Sequence, residues 1–260
     1  MKEEKKKKKL SKAGKVILDI ILIVAICVAG YSGYHLYIGL KDYHDGKKEY
    51  DSLKPEVIHT AKPSNDSDTV QIDWDKLRSI NPDIAAWIQQ DNSVIDYPVV
   101  YTTDNDYYLN HLFDGTWNHS GCVFIDKNNS HGFKDQNTVM YAHHRFDGTM
   151  FHSVEDYKDQ SYYESHKEFH IYTPDGNYIM YPVAGILTTG SSDYVRYTFT
   201  DDNDFLSYVD SFVKKSTFKG EKTIEAGDQT LMLSTCSDVI KDGRYALIGK
   251  LVKESDAVKG

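Results

Sequence analysis

A long apolar run near the N-terminus limits what this chain can fold into more than any other feature. From Val16 to Leu40 the sequence reads VILDIILIVAICVAGYSGYHLYIGL, which is long enough for a helix to cross about 30 Å of hydrocarbon. Lys5 to Lys9 precede the run, and Tyr31, Tyr34 and Tyr37 cluster at its far end. Basic residues favour the cytoplasmic side and aromatic residues the membrane interface. The pattern therefore predicts a membrane-spanning signal-anchor that leaves the N-terminus inside and the body of the chain extracellular.

Two other kinds of N-terminal signal share part of this pattern. A cleaved signal peptide also has a basic start, but this run is longer than usual and no A-x-A site ends it. A lipoprotein signal ending at Cys27 needs a small preceding residue, and Ile26 is large. We therefore expect a retained anchor at residues 16–40, preceded by a basic cytoplasmic tail at residues 1–15.

The charge of the chain is divided unevenly between this tail and the rest. The whole chain has a formal charge of −9 and residues 1–15 contribute +6, so the remainder carries −15. Nucleic acid requires a basic surface, and an acidic body argues against it as a partner. The cysteines are Cys27, Cys122 and Cys236, which cannot all pair, so a disulfide framework is not expected.

The remaining chain divides into a polar segment, one long domain and a short C-terminal tail. Residues 41–70 are polar and predict a stalk, most flexible at Lys62–Asp68. The domain covers residues 71–254, and residues 255–260 form the tail. One helical pattern begins at Trp74. A second, short one covers Pro82–Ile88, and Asn81 before it resembles an N-cap.

Most of the domain has the pattern of β-strands separated by polar turns. One exception is residues 201–215, whose apolar residues recur at helical spacing. The predicted fold is mostly β, a closed barrel with peripheral N-terminal helices and one helix before the last two strands. The predicted strands are Val94–Tyr101, Gly121–Ile125, Thr138–His143, Phe169–Tyr172, Tyr178–Leu187, Thr230–Thr235 and Tyr245–Val252.

The last two predicted strands carry the strongest chemical signal. An apolar strand ends at Cys236 among Ser234, Thr235 and Ser237, and Arg244 opens the next strand. A buried structural cysteine would have apolar neighbours, whereas this one has polar neighbours. If the strands pair antiparallel, Cys236 and Arg244 lie at the same end of the sheet. The guanidinium could then lower the pKa of the thiol and donate to a developing oxyanion.

A nucleophilic thiol also needs a group that carries protons, and histidine is the usual choice. His143 and His144 end the run Val139–Ala142, at a point where a strand gives way to a loop. Functional side chains are often held in such places. The pattern alone leaves both histidines as candidates.

Several of these segments together resemble the class B sortases. Val139–His144, continuing to Gly148–Phe151, is similar to their catalytic histidine segment. Leu233–Cys236 resembles their TLxTC motif, and Arg244 stands where their catalytic arginine is expected. The likeness covers roughly residues 70–252, and further matches within it are Tyr97–Val100, Asn105 with Tyr107–Leu109, and Gly121–Asp126.

This resemblance implies a sortase-type barrel and extracytoplasmic transpeptidation. Such enzymes cleave a sorting motif near the C-terminus of a secreted protein and hold the acyl group as a Cys thioester. They then pass it to an amine of a peptidoglycan precursor such as lipid II, and no cofactor is implied. Carried over by position, Cys236 is the nucleophile, His143 the general acid/base and Arg244 the oxyanion stabiliser. The positions that match the substrate groove are Asn105, Leu109, Tyr194, Val195 and Ser234.

The sequence departs from the family pattern at two positions. Ala142 replaces the usual Gly before the histidine, and Met232 replaces the Thr that opens the cysteine motif. Both positions lie on predicted strands, where a small or apolar residue can pack. We therefore expect retained catalysis.

Alternative functions remain open at this stage. A class B enzyme that joins pilins through a lysine amine would share the same catalytic residues, and an anchored, non-catalytic binding module would need none of them. Ser130–Phe133 resembles the SHGC motif of L,D-transpeptidases, but its cysteine position is Phe133. Asp126–Ser130 resembles the start of a calcium loop but lacks its Gly and final Glu, so no metal is expected.

Overall fold

In the part of the chain that the structure describes, segments rich in Val, Ile, Leu and Tyr form ten β-strands. The computed structural model describes residues 11–61 and 69–257 of the chain. The strands are β1 Ile58–Ala61, β2 Thr69–Ile72, β3 Ile84–Gln89, β4 Asp96–Tyr101, β5 Val123–Ile125, β6 Asn137–Tyr141, β7 Phe169–Tyr172, β8 Tyr178–Thr189, β9 Gln229–Ser237 and β10 Gly243–Lys253.

Eight of these strands close into a barrel, in the order β10-β8-β7-β3-β4-β5-β6-β9, with β9 next to β10. Strands β4 and β5 are parallel, as are β6 and β9, and the other neighbours are antiparallel. Strands β1 and β2 form a separate two-stranded sheet. The predicted mostly-β closed barrel is confirmed.

The helices are α1 Lys12–Val57, α2 Trp74–Ile80, α3 Gln160–Ser165, α4 Asp202–Val213 and α5 Glu254–Ala257. Short 3-10 helices cover Tyr107–Leu109 and His152–Lys158. Helix α4 confirms the helix predicted before the last two strands. It begins where the Asp201 carboxylate accepts the N–H of Asp204 at 2.9 Å, as an N-cap does.

The inner face of α4 packs on the barrel and explains one departure from the family pattern. Phe205, Val209 and Phe212 of α4 are buried in a cluster that also contains Met232 and Ile248. Met232 of β9 is fully buried there. A threonine hydroxyl at this position would be costly to bury without a partner, so an apolar side chain suits it.

The chain divides into two units, residues 1–44 and 45–260, and helix α1 has residues in both. Within the first unit its described part is exposed and contains a stretch long and apolar enough to cross a bilayer. Within the second unit, Tyr50, Leu53 and Val57 are buried. The Tyr50 hydroxyl donates to the carbonyl oxygen of Gly121 at 2.6 Å.

The segment predicted as a polar stalk at 41–70 is therefore structured over much of its length. Residues 41–57 are helical and are followed by β1. Tyr50, Leu53 and Val57 are spaced so that they share one face of the helix, a weak stripe among polar residues. The most flexible part predicted, Lys62–Asp68, lies outside the described residues.

One predicted helix is wrong, since Pro82–Ile88 leads into strand β3. This strand pairs with β4 and β7, and Ala86, Trp87 and Ile88 are fully buried in it. Asn81 is the C-cap of α2 rather than an N-cap. Its side-chain amide donates to the Tyr108 hydroxyl at 2.8 Å and to the carbonyl of Phe113 at 2.7 Å. So short a segment gains more from two strand neighbours than from one helical turn.

Candidate active site

Strands β9 and β10 bring Cys236 and Arg244 together. The two strands are antiparallel, and Cys236 is paired directly with Arg244 in their register. The thiol is exposed, whereas Thr235 and Ser237 on either side of it are buried. This alternation is the two-residue period of a strand, which turns the thiol away from the core. The two strands therefore pair as Arg244 requires in order to lie beside the thiol.

His143 reaches the same end of the barrel by a parallel pairing. Strand β6 runs beside β9 with Tyr141 opposite Ser234. The chain continues in this register, since the Ala142 N–H donates to the carbonyl of Ser234 at 3.4 Å. The Thr235 hydroxyl donates to the carbonyl of Ala142 at 2.9 Å. Two residues beyond the Tyr141 pair, His143 therefore lies level with Cys236.

The three side chains open on one cavity of about 220 Å³. Three of the five predicted substrate residues, Asn105, Leu109 and Ser234, also face this cavity. It is lined by Asn105, Leu109, Phe124, Tyr141, Ala142, His143, Ser234, Thr235, Cys236 and Arg244. A larger cavity, of about 690 Å³, lies at the opposite ends of β9 and β10, where Gln229 and Lys253 line it. It contains no cysteine, so the smaller cavity is the candidate active site.

The hydrogen bonds of His143 define which ring nitrogen can take up a proton. Its Nε2 lies 2.7 Å from the carbonyl oxygen of Leu109. A carbonyl only accepts, so Nε2 carries the proton and the neutral ring has its lone pair on Nδ1. Burial lowers the pKa of His143, the bond to Leu109 opposes that shift, and nearby Arg145 adds to it. The imidazole is therefore mainly neutral at neutral pH.

Arg244 is held by its own turn. Its Nη1 donates to the carbonyl oxygen of Gly243 at 2.8 Å and lies 3.2 Å from the Asp242 carboxylate. Asp242 has a φ of +54°, in the left-handed region, where the chain reverses between β9 and β10. A guanidinium has five N–H donors, so these contacts leave others for a ligand in the cavity.

The matches to known proteins agree with this geometry. The family model described as "Sortase domain" matches residues 89–252, which is more than half of the chain. The chain belongs to the sortase family. Sortases are cysteine transpeptidases, so the alternative of a non-catalytic binding module is wrong.

Relatives of known name place the chain near class B. It is 30% identical to Sortase B of Staphylococcus aureus over 241 residues, which cover 92% of this chain and 97% of that protein. A solved sortase B of Bacillus anthracis, in complex with AAEK1, has a TM-score of 0.72 at 29% identity and covers 83% of this chain and 100% of its own. An S. aureus sortase B–substrate complex has a TM-score of 0.66 at 32% identity and covers 70% and 85%. The resemblance to class B sortases is confirmed.

In this sortase the two candidate histidines differ in their position relative to the cavity. His143 lines it, whereas His144 turns to the other side of the chain. The His144 Nε2 lies 2.9 Å from the buried carboxylate of Glu155. Consecutive residues of an extended chain point to opposite faces, and a sequence pattern does not say which face is which.

Asn105 is oriented by a buried carboxylate behind the cavity. Its Nδ2 donates to Oδ2 of Asp126 at 3.0 Å, and its Oδ1 accepts the N–H of Lys127 at 2.9 Å. Because one partner only accepts and the other only donates, the amide cannot be flipped. The second hydrogen of Nδ2 remains as a donor.

Asp126 also holds two tyrosines near the cavity. Its Oδ2 accepts the hydroxyls of Tyr141 at 2.9 Å and Tyr197 at 2.8 Å, and its Oδ1 accepts the N–H of Asn128 at 2.8 Å. Burial and the neighbouring carboxylate raise the pKa of Tyr141 strongly and that of Tyr197 to about 12. Both hydroxyls therefore stay protonated donors at neutral pH. This role of Asp126 could not be predicted from the sequence, because three of its donors, Asn105, Tyr141 and Tyr197, come from distant segments.

The other two predicted substrate residues lie beside the cavity rather than on it. Tyr194 is buried, and its hydroxyl lies 2.9 Å from the Ser234 hydroxyl. The Tyr208 hydroxyl of α4 donates to the carbonyl of Tyr194 at 2.8 Å. Val195 packs, partly buried, against the cluster beneath α4. The cavity-lining Phe124 and Tyr141 were not among the predicted site residues, although both stand in the quoted motifs.

The remaining cysteine of the barrel does not belong to this site. Cys122 is buried in the core, and burial raises the pKa of its thiol to about 12. Its Sγ contacts the carbonyl oxygen of Pro98 at 3.6 Å. Within residues 11–61 and 69–257, no group of three or more His, Cys, Asp or Glu side chains is placed to hold a metal ion.

Proposed function

We propose that this sortase cleaves a sorting motif near the C-terminus of secreted proteins and transfers the acyl group to an amine of a peptidoglycan precursor. The observation that carries the proposal is the single cavity lined by Cys236, His143 and Arg244. The S. aureus relative was solved as a substrate complex, which supports substrate binding by a chain of this fold. Asn105, Leu109 and Ser234 are the residues that we propose to contact the sorting motif. We also propose Tyr194 and Val195, which lie beside the cavity, for the groove.

In the first half-reaction, Nδ1 of neutral His143 takes the proton of the Cys236 thiol as Sγ attacks the scissile carbonyl carbon. Arg244 donates hydrogen bonds to the oxyanion that forms. The tetrahedral intermediate collapses, the C–N bond breaks, and the His143 imidazolium gives its proton to the leaving amine. The products are a thioester on Cys236 and a free amine-terminated peptide.

In the second half-reaction, the acceptor amine attacks the thioester carbonyl. His143 removes the proton of the amine, and Arg244 again stabilises the oxyanion. A new amide bond forms as the C–S bond breaks, and the proton returns to the Cys236 sulfur. Two steps of moderate barrier replace one difficult exchange, which is the advantage of covalent catalysis.

The test uses the full chain in detergent micelles with a library of quenched peptides. We expect cleavage between the Thr of a sorting motif and its successor, and a thioester at Cys236 that mass spectrometry detects. Cys236→Ala should abolish both, while the matched variant Cys27→Ala should retain them. Full cleavage by Cys236→Ala would rule out the proposed nucleophile.

The acceptor is tested separately, because a pilin-joining enzyme would use the same catalytic residues. With the thioester formed, equal concentrations of a wall-precursor peptide with a free amine and a lysine-containing pilin peptide compete. We expect transfer mainly to the wall-precursor amine. Preferential transfer to the lysine would establish pilin polymerisation instead.

We also propose that residues 16–40 anchor the enzyme in the cell membrane as a single-pass signal-anchor, with the N-terminus inside and the catalytic domain extracellular. Support comes from the exposed apolar stretch of α1 and the lysines before it. A charged, membrane-impermeant methanethiosulfonate should label Cys236 on intact cells. Labelling of Cys236 only after lysis would show that the catalytic domain lies inside the cell. The Cys236→Ala variant gives the background signal.

A further inference from the structure

A buried carboxylate connects the chain neighbours of His143 and Cys236. Glu155 lies in the 3-10 helix His152–Lys158, and its side chain is only 7% exposed. One carboxylate oxygen lies 2.9 Å from Nε2 of His144, and the other accepts the hydroxyl of Ser237 at 2.8 Å. His144 follows His143 in the chain, and Ser237 follows Cys236.

The segment that carries Glu155 is fastened to the His143 side of this connection by its backbone. The Phe151 N–H donates to the carbonyl oxygen of His143 at 3.0 Å. His144 and Met150 form an isolated antiparallel β-bridge. Residues 143–144 and 150–155 therefore form one hydrogen-bonded unit, and the Glu155–Ser237 hydrogen bond joins that unit to strand β9.

A second contact joins the His143 segment to strand β9, through the residues that precede His143 and Cys236. The Thr235 hydroxyl donates to the carbonyl oxygen of Ala142 at 2.9 Å. Thr235 and Ser237 are both buried, while Cys236 between them is exposed. The residues before and after the thiol, Thr235 and Ser237, are thus joined to the residues before and after the imidazole, Ala142 and His144.

We propose that Glu155 is a positioning residue that keeps the His143 imidazole in register with the Cys236 thiol by joining His144 to Ser237. The proposal rests on the proposed roles of His143 and Cys236. A carboxylate suits this place because its two oxygens can each accept a separate donor. Burying a charge is costly, so a carboxylate with no such task would be a poor choice here.

The surroundings of His144 are consistent with a neutral ring that donates to Glu155. Burial and the ring of His152, 4.2 Å away, lower the pKa of His144, and Glu155, Asp238 and Asp156 oppose that shift. A carboxylate oxygen only accepts, so Nε2 of His144 carries the proton in this pair. The connection from Ser237 through Glu155 to His144 is then complete at neutral pH.

The test compares Glu155→Ala, Glu155→Gln and Ser237→Ala in the full chain in detergent micelles, with His143→Ala as the reference for a missing imidazole. Met180→Ala is the matched control for lost stability, since Met180 is fully buried in the barrel and pairs with Leu251 and Phe169, away from the cavity. Two quantities are measured. The first is kcat and KM for a sorting peptide, per titratable Cys236 thiol. The second is the pH profile of Cys236 alkylation by iodoacetamide, followed by peptide mass spectrometry.

Misplacing a proton-transfer group costs rate rather than binding, so we expect Glu155→Ala to lower kcat by about tenfold to a hundredfold. Its KM should stay within about twofold, since it does not touch the peptide. Its alkylation profile should move towards that of His143→Ala. Glu155→Gln should recover most of kcat, because its amide oxygen accepts from Ser237 and its NH2 group donates to Nε2 of His144 once that ring takes the Nδ1–H tautomer. Ser237→Ala removes only the hydrogen bond between Ser237 and Glu155, so its kcat should lie between those of the wild type and Glu155→Ala.

An alkylation profile of Glu155→Ala equal to that of the wild type, with kcat no lower than in Met180→Ala at equal melting temperature, would overturn the proposal. So would identical profiles for the wild type and His143→Ala, because the thiol would then not sense the imidazole. If Glu155→Ala does not fold, the kinetic constants and alkylation profiles of Ser237→Ala and Glu155→Gln test the proposal instead. Lack of peptide processing by the wild type would instead overturn the proposed function, since alkylation requires no sorting peptide.

Discussion

Cys236 and Arg244 are direct cross-strand partners at the ends of β9 and β10. Their side chains share one face of the sheet, where paired Cβ atoms lie about 4.5–5.5 Å apart. The turn between the strands also places Asp242 beside the guanidinium, at 3.2 Å. The arginine is thus positioned by the strand register rather than by a contact with the thiol.

Arg244→Ala should lower kcat by about a hundredfold or more, the usual cost of losing an oxyanion donor. Arg244→Lys keeps the charge but loses the planar fork, so we expect about a tenfold loss. For both variants, the rate of thioester formation is measured in single-turnover experiments with saturating peptide.

Asp242→Asn is the control for this pair, because asparagine accepts the left-handed backbone of that position. It removes the ion pair while leaving the arginine in its strand. We expect activity within about threefold of wild type. An equally large loss in Asp242→Asn and Arg244→Ala would show that the ion pair, and not the oxyanion contact, matters.

The pH dependence of cleavage follows from the lowered pKa of His143. If the neutral ring takes the thiol proton, kcat/KM stays level as pH falls to the ordinary histidine value of about 6.5 and drops only below it. The profile is measured between about pH 5 and pH 8, with circular dichroism at each pH to verify folding. Activity that rises as pH falls from about 7.5 to 6 would mean that the imidazolium, not the neutral ring, starts the reaction.

Asp126→Ala should both destabilise the domain and weaken substrate binding. It leaves the part-buried donors of Tyr141, Tyr197 and Asn105 without their acceptor, and an unsatisfied donor costs up to about 1–3 kcal/mol, less where water can reach it. We expect a loss of about 3 kcal/mol or more in urea unfolding, and a raised KM because Asn105 loses its orientation.

Tyr197→Phe is the matched variant for Asp126, since it removes one donor and keeps the carboxylate. It should cost about 1 kcal/mol and leave KM within about twofold. If Asp126→Ala has an unchanged KM despite its lower stability, the carboxylate supports the fold and has no part in orienting Asn105.

Ala142→Gly restores the residue that the family pattern has at this position. Ala142 has no left-handed backbone that would demand glycine, and it is buried beside His143. Glycine should therefore lower the free energy of unfolding by about 0.5–1 kcal/mol through backbone entropy. Activity should remain within about threefold in peptide cleavage. A tenfold gain in kcat would instead mean that the methyl group obstructs the histidine.

Much of the barrel could be predicted because strands carry a local signal. Phe169–Tyr172 was predicted with its observed bounds, and the last two strands extend the predicted ones by a few residues. The helix predicted at Pro82–Ile88 is wrong because a short apolar run fits a helix and a buried strand equally well. Only the pairing of β3 with β4 and β7 settles that choice.

The site divides in the same way. The sequence singles out Cys236 and Arg244 as candidates because they lie at the end of one strand and the start of the next, and His143 with His144 because they follow a strand. The roles of Asp126 and Glu155 could not be found, because their partners are separated by many residues. Asp126 accepts from Asn105, Tyr141 and Tyr197, and Glu155 joins His144 to Ser237.

Local order along the chain was thus enough to specify an apolar N-terminal helix, a set of strands and a polar-flanked cysteine ahead of an arginine. Such features depend on side-chain period and on nearest neighbours, which a linear pattern records. Closure of the barrel decided the rest: it set His143 level with Cys236 and turned His144 towards Glu155. Those outcomes depend on register between distant strands, and one residue of slip would exchange the two faces of a strand.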